Sequence, residues 1–232
     1  MFKVMLAEGL RMVISDEGIA TVYMINGENR FRMSFVKAWS RILDEVEKNQ
    51  DIKGLIITGH EKIFSLGLDV TYFATQSPEY VTTTRTAIAK LYQRLLFLPI
   101  PTVAAINGHA FGAGAFLAVM CDYRVMNADR GWICWPEVTL EMRLMPQSLE
   151  LIRVKIPLGK ATRDAILFGQ NLTGPEAHDL RIVDAITDSA HLEMEALSFI
   201  KETLGKTGLD RQALQQAKKD VHGYAISESS KL

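Results

Sequence analysis

The apolar positions of the chain change rhythm several times, and each change marks an element. Residues 11–15 and 19–25 are strand-like runs separated by Asp16-Glu17-Gly18, a turn signal. Asn26-Gly27 ends the second run. The period then lengthens: Phe35, Trp39, Ile42, Leu43 and Val46 recur at helical spacing, with Lys37, Arg41, Glu45 and Lys48 between them. Gly54-Leu55-Ile56-Ile57-Thr58 is a continuous apolar run, as in a strand covered on both faces. A long amphipathic helix follows, carrying Ile88, Leu91, Tyr92, Leu95 and Leu96, and stops at Leu98-Pro99. Thr102-Val103-Ala104-Ala105-Ile106 is a second buried strand, ended by Asn107-Gly108. The small residues Gly112-Ala113-Gly114-Ala115 lead into the apolar stretch 116–120, and Tyr123-Arg124-Val125-Met126 is another strand. Beyond Pro146 the pattern is mostly helical, over 149–154, 161–168, 175–180 and 191–204, and Asp210 caps a last helix through Val221. Strands alternating with helices, then a helical tail, predict an α/β core with an α-helical C-terminal part.

Composition narrows the function classes more than the fold. The chain has 232 residues, enough for one large domain that buries its core without disulfides or metals. Its 26 basic and 27 acidic side chains give no global field for nucleic acid or an anionic membrane, although a local basic cluster can still hold a phosphate. Cys121 and Cys134 form no metal-spaced set and read as reduced thiols packed in a core. No window reaches the apolar length of a membrane span, and Met1-Phe2-Lys3-Val4 lacks the pattern of a secretion signal. There is no internal repeat or linker-like block. The last three residues, Ser230-Lys231-Leu232 after the polar Ser227-Glu228-Ser229, read as a peroxisomal address recognised by an import receptor.

Three segments carry candidate chemistry: Phe64-Ser65-Leu66-Gly67-Leu68-Asp69, then Asn107-Gly108-His109-Ala110-Phe111-Gly112-Ala113-Gly114, then Pro136-Glu137-Val138. Each is weak alone: a glycine between apolar residues marks many tight turns, and one loop glutamate is usually a solvated charge. In order and spacing, over roughly residues 3–200, they resemble the crotonase (enoyl-coenzyme A hydratase/isomerase) superfamily. That resemblance implies a (ββα)n spiral core over 1–195 that holds the active site. A helical C-terminal region over 196–232 would mediate assembly, with a homotrimer expected, and carry the targeting tail.

The resemblance also implies roles. The main-chain N–H groups of Leu68 and Ala113 would form an oxyanion hole for an acyl thioester carbonyl; family members often have glycine at the Ala113 position, and a methyl there leaves the N–H intact. Removing one such donor costs about 3–4 kcal/mol in other enzymes. Hydratases of the family use two glutamates; the first position is the apolar Phe116 here, and the second is Glu137. One carboxylate in a pocket dried by Phe116 suits a proton relay, and the likeness is nearest to the Δ3,Δ2-enoyl-coenzyme A isomerases, with Asp129-Arg130-Gly131 adding to it. The expected reaction moves a 3-enoyl double bond to the trans-2 position, with Glu137 as the catalytic acid-base.

Coenzyme A contacts are expected from the main chain around Lys62, Phe64, Ser65, Leu66 and Gly67, and from Gly112. Phe116 and Trp135 are expected along the acyl channel, a core or trimer-contact role being equally open for Trp132 and Trp135. Arg30 and Arg32 are phosphate contacts or a solvated basic turn. Glu141, four residues after Glu137, is a rival carboxylate, an Arg143 partner or simply exposed; Asp69 reads as structural, and His109 as a partly buried, hydrogen-bonded histidine rather than a phosphate ligand. No metal and no cofactor beyond the substrate's own coenzyme A are implied. The alternatives are an enoyl-coenzyme A hydratase and a non-catalytic acyl-coenzyme A binding protein. No Gly-x-Ser-x-Gly elbow, Rossmann fingerprint or phosphate loop occurs.

Overall fold

The computed structural model describes residues 3–144 and 146–228. Strands β1 (Lys3–Ala7), β2 (Leu10–Ile14) and β3 (Ile19–Met24) form an antiparallel meander that leads into α1 (Met33–Lys48). Three successive turns of chain then repeat one plan. The first is β4 (Gly54–Thr58), β5 (Ile63–Ser65), α2 (Val70–Ala74) and α3 (Pro78–Leu96). The second is β6 (Thr102–Ile106), β7 (His109–Phe111) and α4 (Ala113–Met120), and the third is β8 (Tyr123–Asn127), β9 (Ile133–Cys134) and α5 (Pro146–Lys155). There follow α6 (Lys160–Thr162), which runs into a π-helical stretch at Arg163–Leu167, then α7 (Gly174–Asp179), β10 (Ala185–Thr187), α8 (Leu192–Leu204) and α9 (Arg211–Glu228).

Each turn gives one strand to each of two sheets. The larger has the order β1-β2-β3-β4-β6-β8-β10, parallel from β3 onward, and the smaller is β5-β7-β9, all parallel. This is the expected ββα spiral. It explains the unbroken apolar runs of β4 and β6, whose residues are buried on both faces. Leu55, Ile57, Ala104 and Ile106 face the main core with α1, α3 and α4. Ile56, Val103 and Ala105 face the other way, onto Leu192, Ala196 and Ile200 of α8. The expected boundary between residues 195 and 196 therefore falls inside α8, within one apolar stripe packed on the sheet.

Several elements differ from the sequence reading. β1, β5, α2, β7, β9 and β10 add to the predicted set, and the expected helix over 161–168 is a short α-turn followed by π-helical backbone. Asp210 does cap the last helix, its Oδ1 accepting the Ala213 N–H at 2.8 Å, but that helix continues past Val221 to Glu228. Cys121 and Cys134 are free and buried, as expected of packed thiols. No helix among the described residues is long and apolar enough to cross a membrane. The Ser230-Lys231-Leu232 tripeptide lies outside the described residues.

Candidate active site

The three sequence segments meet where the smaller sheet hands over to α4. Gly67 makes the first bend, with φ +75°. A Cβ there would stand 2.4 Å from the Phe111 carbonyl oxygen and 2.9 Å from the Ala113 nitrogen, so the two bends touch through the missing side chain. The main chain on either side of Leu68 is pinned: before it, Leu66 N–H donates to the Glu28 carbonyl at 3.0 Å and Phe31 N–H to the Gly67 carbonyl at 2.8 Å; after it, Asp69 N–H donates to the Phe31 carbonyl at 3.4 Å. Between these ties the Leu68 N–H has no acceptor among the described residues.

The second free amide follows from helix geometry. Ala113 is the first residue of α4, and a first-turn N–H has no intrahelical acceptor. Gly112, at φ 48°, caps that helix, its own N–H held by the Cys134 carbonyl at 2.9 Å. Gly114 lets α4 lie against β5, since a Cβ there would come within 2.4 Å of the Ser65 carbonyl oxygen. From α3, the buried Tyr92 hydroxyl donates to the Ala113 carbonyl at 2.6 Å. The Tyr92 ring stacks on Phe116, centroids 6.0 Å apart, and Phe116 meets Trp135 edge-on at 6.4 Å.

Glu137 projects from the turn after β9. Its Oε2 is buried and has no hydrogen-bond partner among the described residues. Burial pushes the carboxyl above the ordinary glutamate range, opposed by its own main-chain N–H and by the charge of Arg85. The Tyr92 phenol is held well above its usual value by burial and then by Glu137. Glu137 shares one cleft with Leu68, Arg85, Ile88, Tyr92, Ala113 and Phe116, lined also by Met142, Arg143, Leu144 and Ser148. The cleft is small, about 60 Å³. A larger hollow of about 660 Å³, beside the α8–α9 connection, contains none of the three motifs.

Other predicted residues fall as follows. Trp135 does not line the cleft: it is fully buried, with Phe116 between it and Glu137's pocket. Phe64 is likewise buried in the core, while its carbonyl accepts from Asn29 Nδ2 at 2.9 Å. Ser65 Oγ donates to the Asn29 carbonyl and accepts from Gly67 N–H, which makes it a brace of the bend. The Lys62 carbonyl accepts from His109 N–H, and the Lys62 side chain is exposed. Arg30 is paired with Glu28 and the Leu68 carbonyl. Arg32 is paired with Asp69 at 2.7 Å and lies over the Tyr72 ring. Asp69 also caps α2 through Tyr72 N–H, a structural role as expected. Glu141 is exposed, at φ 54°, and is not among the cleft residues. His109 packs between Phe111 and Trp132, is not among the cleft residues, and its Nδ1 has no partner among the described residues, contrary to the expected hydrogen bond. Sequence reasoning missed Arg85 and saw Tyr92 only as core. The signal was present: Arg85, Ile88 and Tyr92 share one helical face, a cation and a hydroxyl within an apolar stripe.

A family profile described as enoyl-CoA hydratase/isomerase matches residues 15–229. The chain belongs to that family. It is 36% identical over 190 residues to enoyl-CoA delta isomerase 3 of Arabidopsis thaliana, covering 76% of each chain. It is 34% identical to the peroxisomal enoyl-CoA delta isomerase 2 of the same plant, covering 69% of each. Human mitochondrial delta3-delta2-enoyl-CoA isomerase shares the fold, with a TM-score of 0.84 at 24% identity, covering 99% of this chain and 86% of that one. The crotonase fold and the assignment to an enzyme family of enoyl thioesters thus agree with the sequence reading.

Proposed function

We propose that this enzyme is a Δ3,Δ2-enoyl-coenzyme A isomerase that uses Glu137 as its single proton carrier. The observation that carries the reading is the partnerless, buried carboxylate oxygen of Glu137 in a cleft bordered by two unclaimed amides. The thioester carbonyl oxygen accepts from Leu68 N–H and Ala113 N–H. Glu137 takes a proton from the α-carbon, and the electron pair moves onto that oxygen, giving a dienolate. The amides stabilise the charge as it arrives, with the α4 N-terminus adding its dipole. The Glu137 carboxyl then delivers the proton to the γ-carbon, and the double bond forms between the α- and β-carbons. Burial suits both steps, because a carboxyl above its ordinary pKa accepts a carbon-bound proton better and still returns it.

Phe116 weighs against hydration. It fills the place of a second carboxylate with a ring wedged between Tyr92 and Trp135, so nothing there orients a water. The names of the plant relatives support isomerisation. Coenzyme A enters as part of the substrate, and the reading needs no other cofactor. We further propose import into peroxisomes through Ser230-Lys231-Leu232 and assembly as a homotrimer; the peroxisomal naming of two plant relatives supports the former.

The test is Glu137→Gln assayed with cis- and trans-3-enoyl thioesters of several lengths. Turnover is expected to vanish while acyl-coenzyme A still binds. The variant's thermal midpoint is expected to hold or rise, since a neutral amide replaces a desolvated charge. Appreciable isomerisation by this variant would remove Glu137 from the mechanism.

A further inference from the structure

We infer that the acyl group this enzyme prefers carries a second anionic group, a carboxylate at its far end, which Arg85 and Arg143 receive. This rests on the isomerase reading above and adds the class of substrate. With the carbonyl held at Leu68 and Ala113, Glu137 must reach both the α- and the γ-carbon. The residues that share its cleft therefore surround the acyl chain beyond the reacting carbons. Their wall is Ile88, Tyr92, Phe116, Met142 and Leu144, and it includes two arginines, Arg85 and Arg143.

Neither arginine side chain has a hydrogen bond or ion pair to a described residue. Arg85 is half-buried on α3, and its charge acts on Glu137. Arg143 stands exposed, between the Glu137 turn and α5, and lines the same cleft. The arginines nearer the first bend differ: Arg30 is spent on Glu28, and Arg32 on Asp69. An alkyl terminus pressed against Arg85 and Arg143 would strip water from two charges and offer nothing in return. A carboxylate offers charge-assisted, fork-shaped hydrogen bonds to the same groups. The small volume points the same way, toward a short acyl group whose end lies near the cleft rim.

Binding decides the matter without needing turnover. Hexanoyl- and adipoyl-coenzyme A differ only in a terminal methyl against a terminal carboxylate. Calorimetric titration is expected to give adipoyl-coenzyme A at least about tenfold the affinity, the worth of one hydrogen bond to a charged group. Arg85→Leu and Arg143→Leu are each expected to shrink that ratio, and Arg143→Lys to keep part of it. The same two acyl groups on phosphate-free pantetheine are expected to show the same preference. A ratio at or below one in the wild type would overturn the inference. So would a ratio indifferent to both leucine variants, or variants that weaken both coenzyme A thioesters equally while leaving the pantetheine pair untouched, which would give the arginines to the carrier's phosphates. Inactivity toward the matching 3-enoyl thioesters, with the binding ratio intact, would instead sink the isomerase reading alone.

Discussion

A methyl group at position 67 would collide with main-chain atoms on two sides, 2.4 Å from the Phe111 oxygen and 2.9 Å from the Ala113 nitrogen. Neither neighbour is the movable end of a side chain, so the Leu68 bend and the α4 N-terminus would be forced apart. Gly67→Ala is expected to lower kcat/KM at least about a hundredfold, the scale of losing an oxyanion donor. Gly208→Ala is the control: its φ of +73° imposes the same left-handed strain, yet a Cβ there meets nothing within 4 Å. Equal losses in both proteins would show that strain, not the close approach, is responsible. The same contrast explains what the sequence made legible at this scale. The segments holding Gly67, Ala113 and Glu137 were singled out only by their joint resemblance to the crotonase family, since each is weak alone, and the structure brings all three to one place. Arg85 was not singled out, because a single cation on an amphipathic helix looks like any solvated charge until the cleft beside it is seen. Trp135 was left open between channel and core for the converse reason, nearness in sequence to Glu137 saying nothing of which way an indole turns, and the structure buries it.

At the scale of elements, α3 acts on α4 through one side chain. Tyr92 holds the carbonyl of the first α4 residue and lies flat on Phe116 one turn later, so the first turn of α4 is clamped at both ends. Tyr92→Phe keeps the ring and removes only the hydroxyl, at a cost of about 1 kcal/mol. For a chain of this size that is a fall of about 2–4 °C in thermal midpoint. If the clamp also aims the Ala113 amide, kcat is expected to fall severalfold with little change in KM. An unchanged kcat beside a lowered midpoint would leave Tyr92 with packing alone. The long elements were legible because their burial repeats over many residues: α1 and α3 by helical spacing, β4 and β6 by unbroken apolar runs. β5, β7 and β9 were not, with only three, three and two residues in which no period can be established. They exist because successive ββα turns set them side by side in parallel register, a long-range cause absent from any local window.

Over the whole molecule, the last helix is tied back to the sheet by charge rather than by apolar area. Arg211 donates to the carbonyl of Val46 in the last turn of α1 and to that of Ile52 just before β4, and Lys218 reaches the Ile100 carbonyl at 2.9 Å and Asp122 Oδ2 at 2.6 Å. Asp122 also accepts from the N–H and the hydroxyl of Thr102, which leaves it well satisfied. Lys155, at the end of α5, has the opposite fate. Burial first, and the nearby Arg124 next, press its ammonium down to about 8. In the unfolded chain a lysine titrates near about 10.4. Between these values the unfolded state binds more protons than the folded one, so stability must rise with pH across that window. Below about 8 both states are charged and the fold carries the whole penalty. Lys155→Met removes that penalty, so the variant is expected to be more stable than the wild type at neutral pH, with the advantage shrinking as pH climbs toward 10. Urea unfolding of both proteins at neutral and alkaline pH measures the difference, and the other lysines and tyrosines cancel between them. A variant less stable at neutral pH, or an advantage that does not decline, would mean that Lys155 is a satisfied partner of Asp122 rather than a cation held where the fold has one too many.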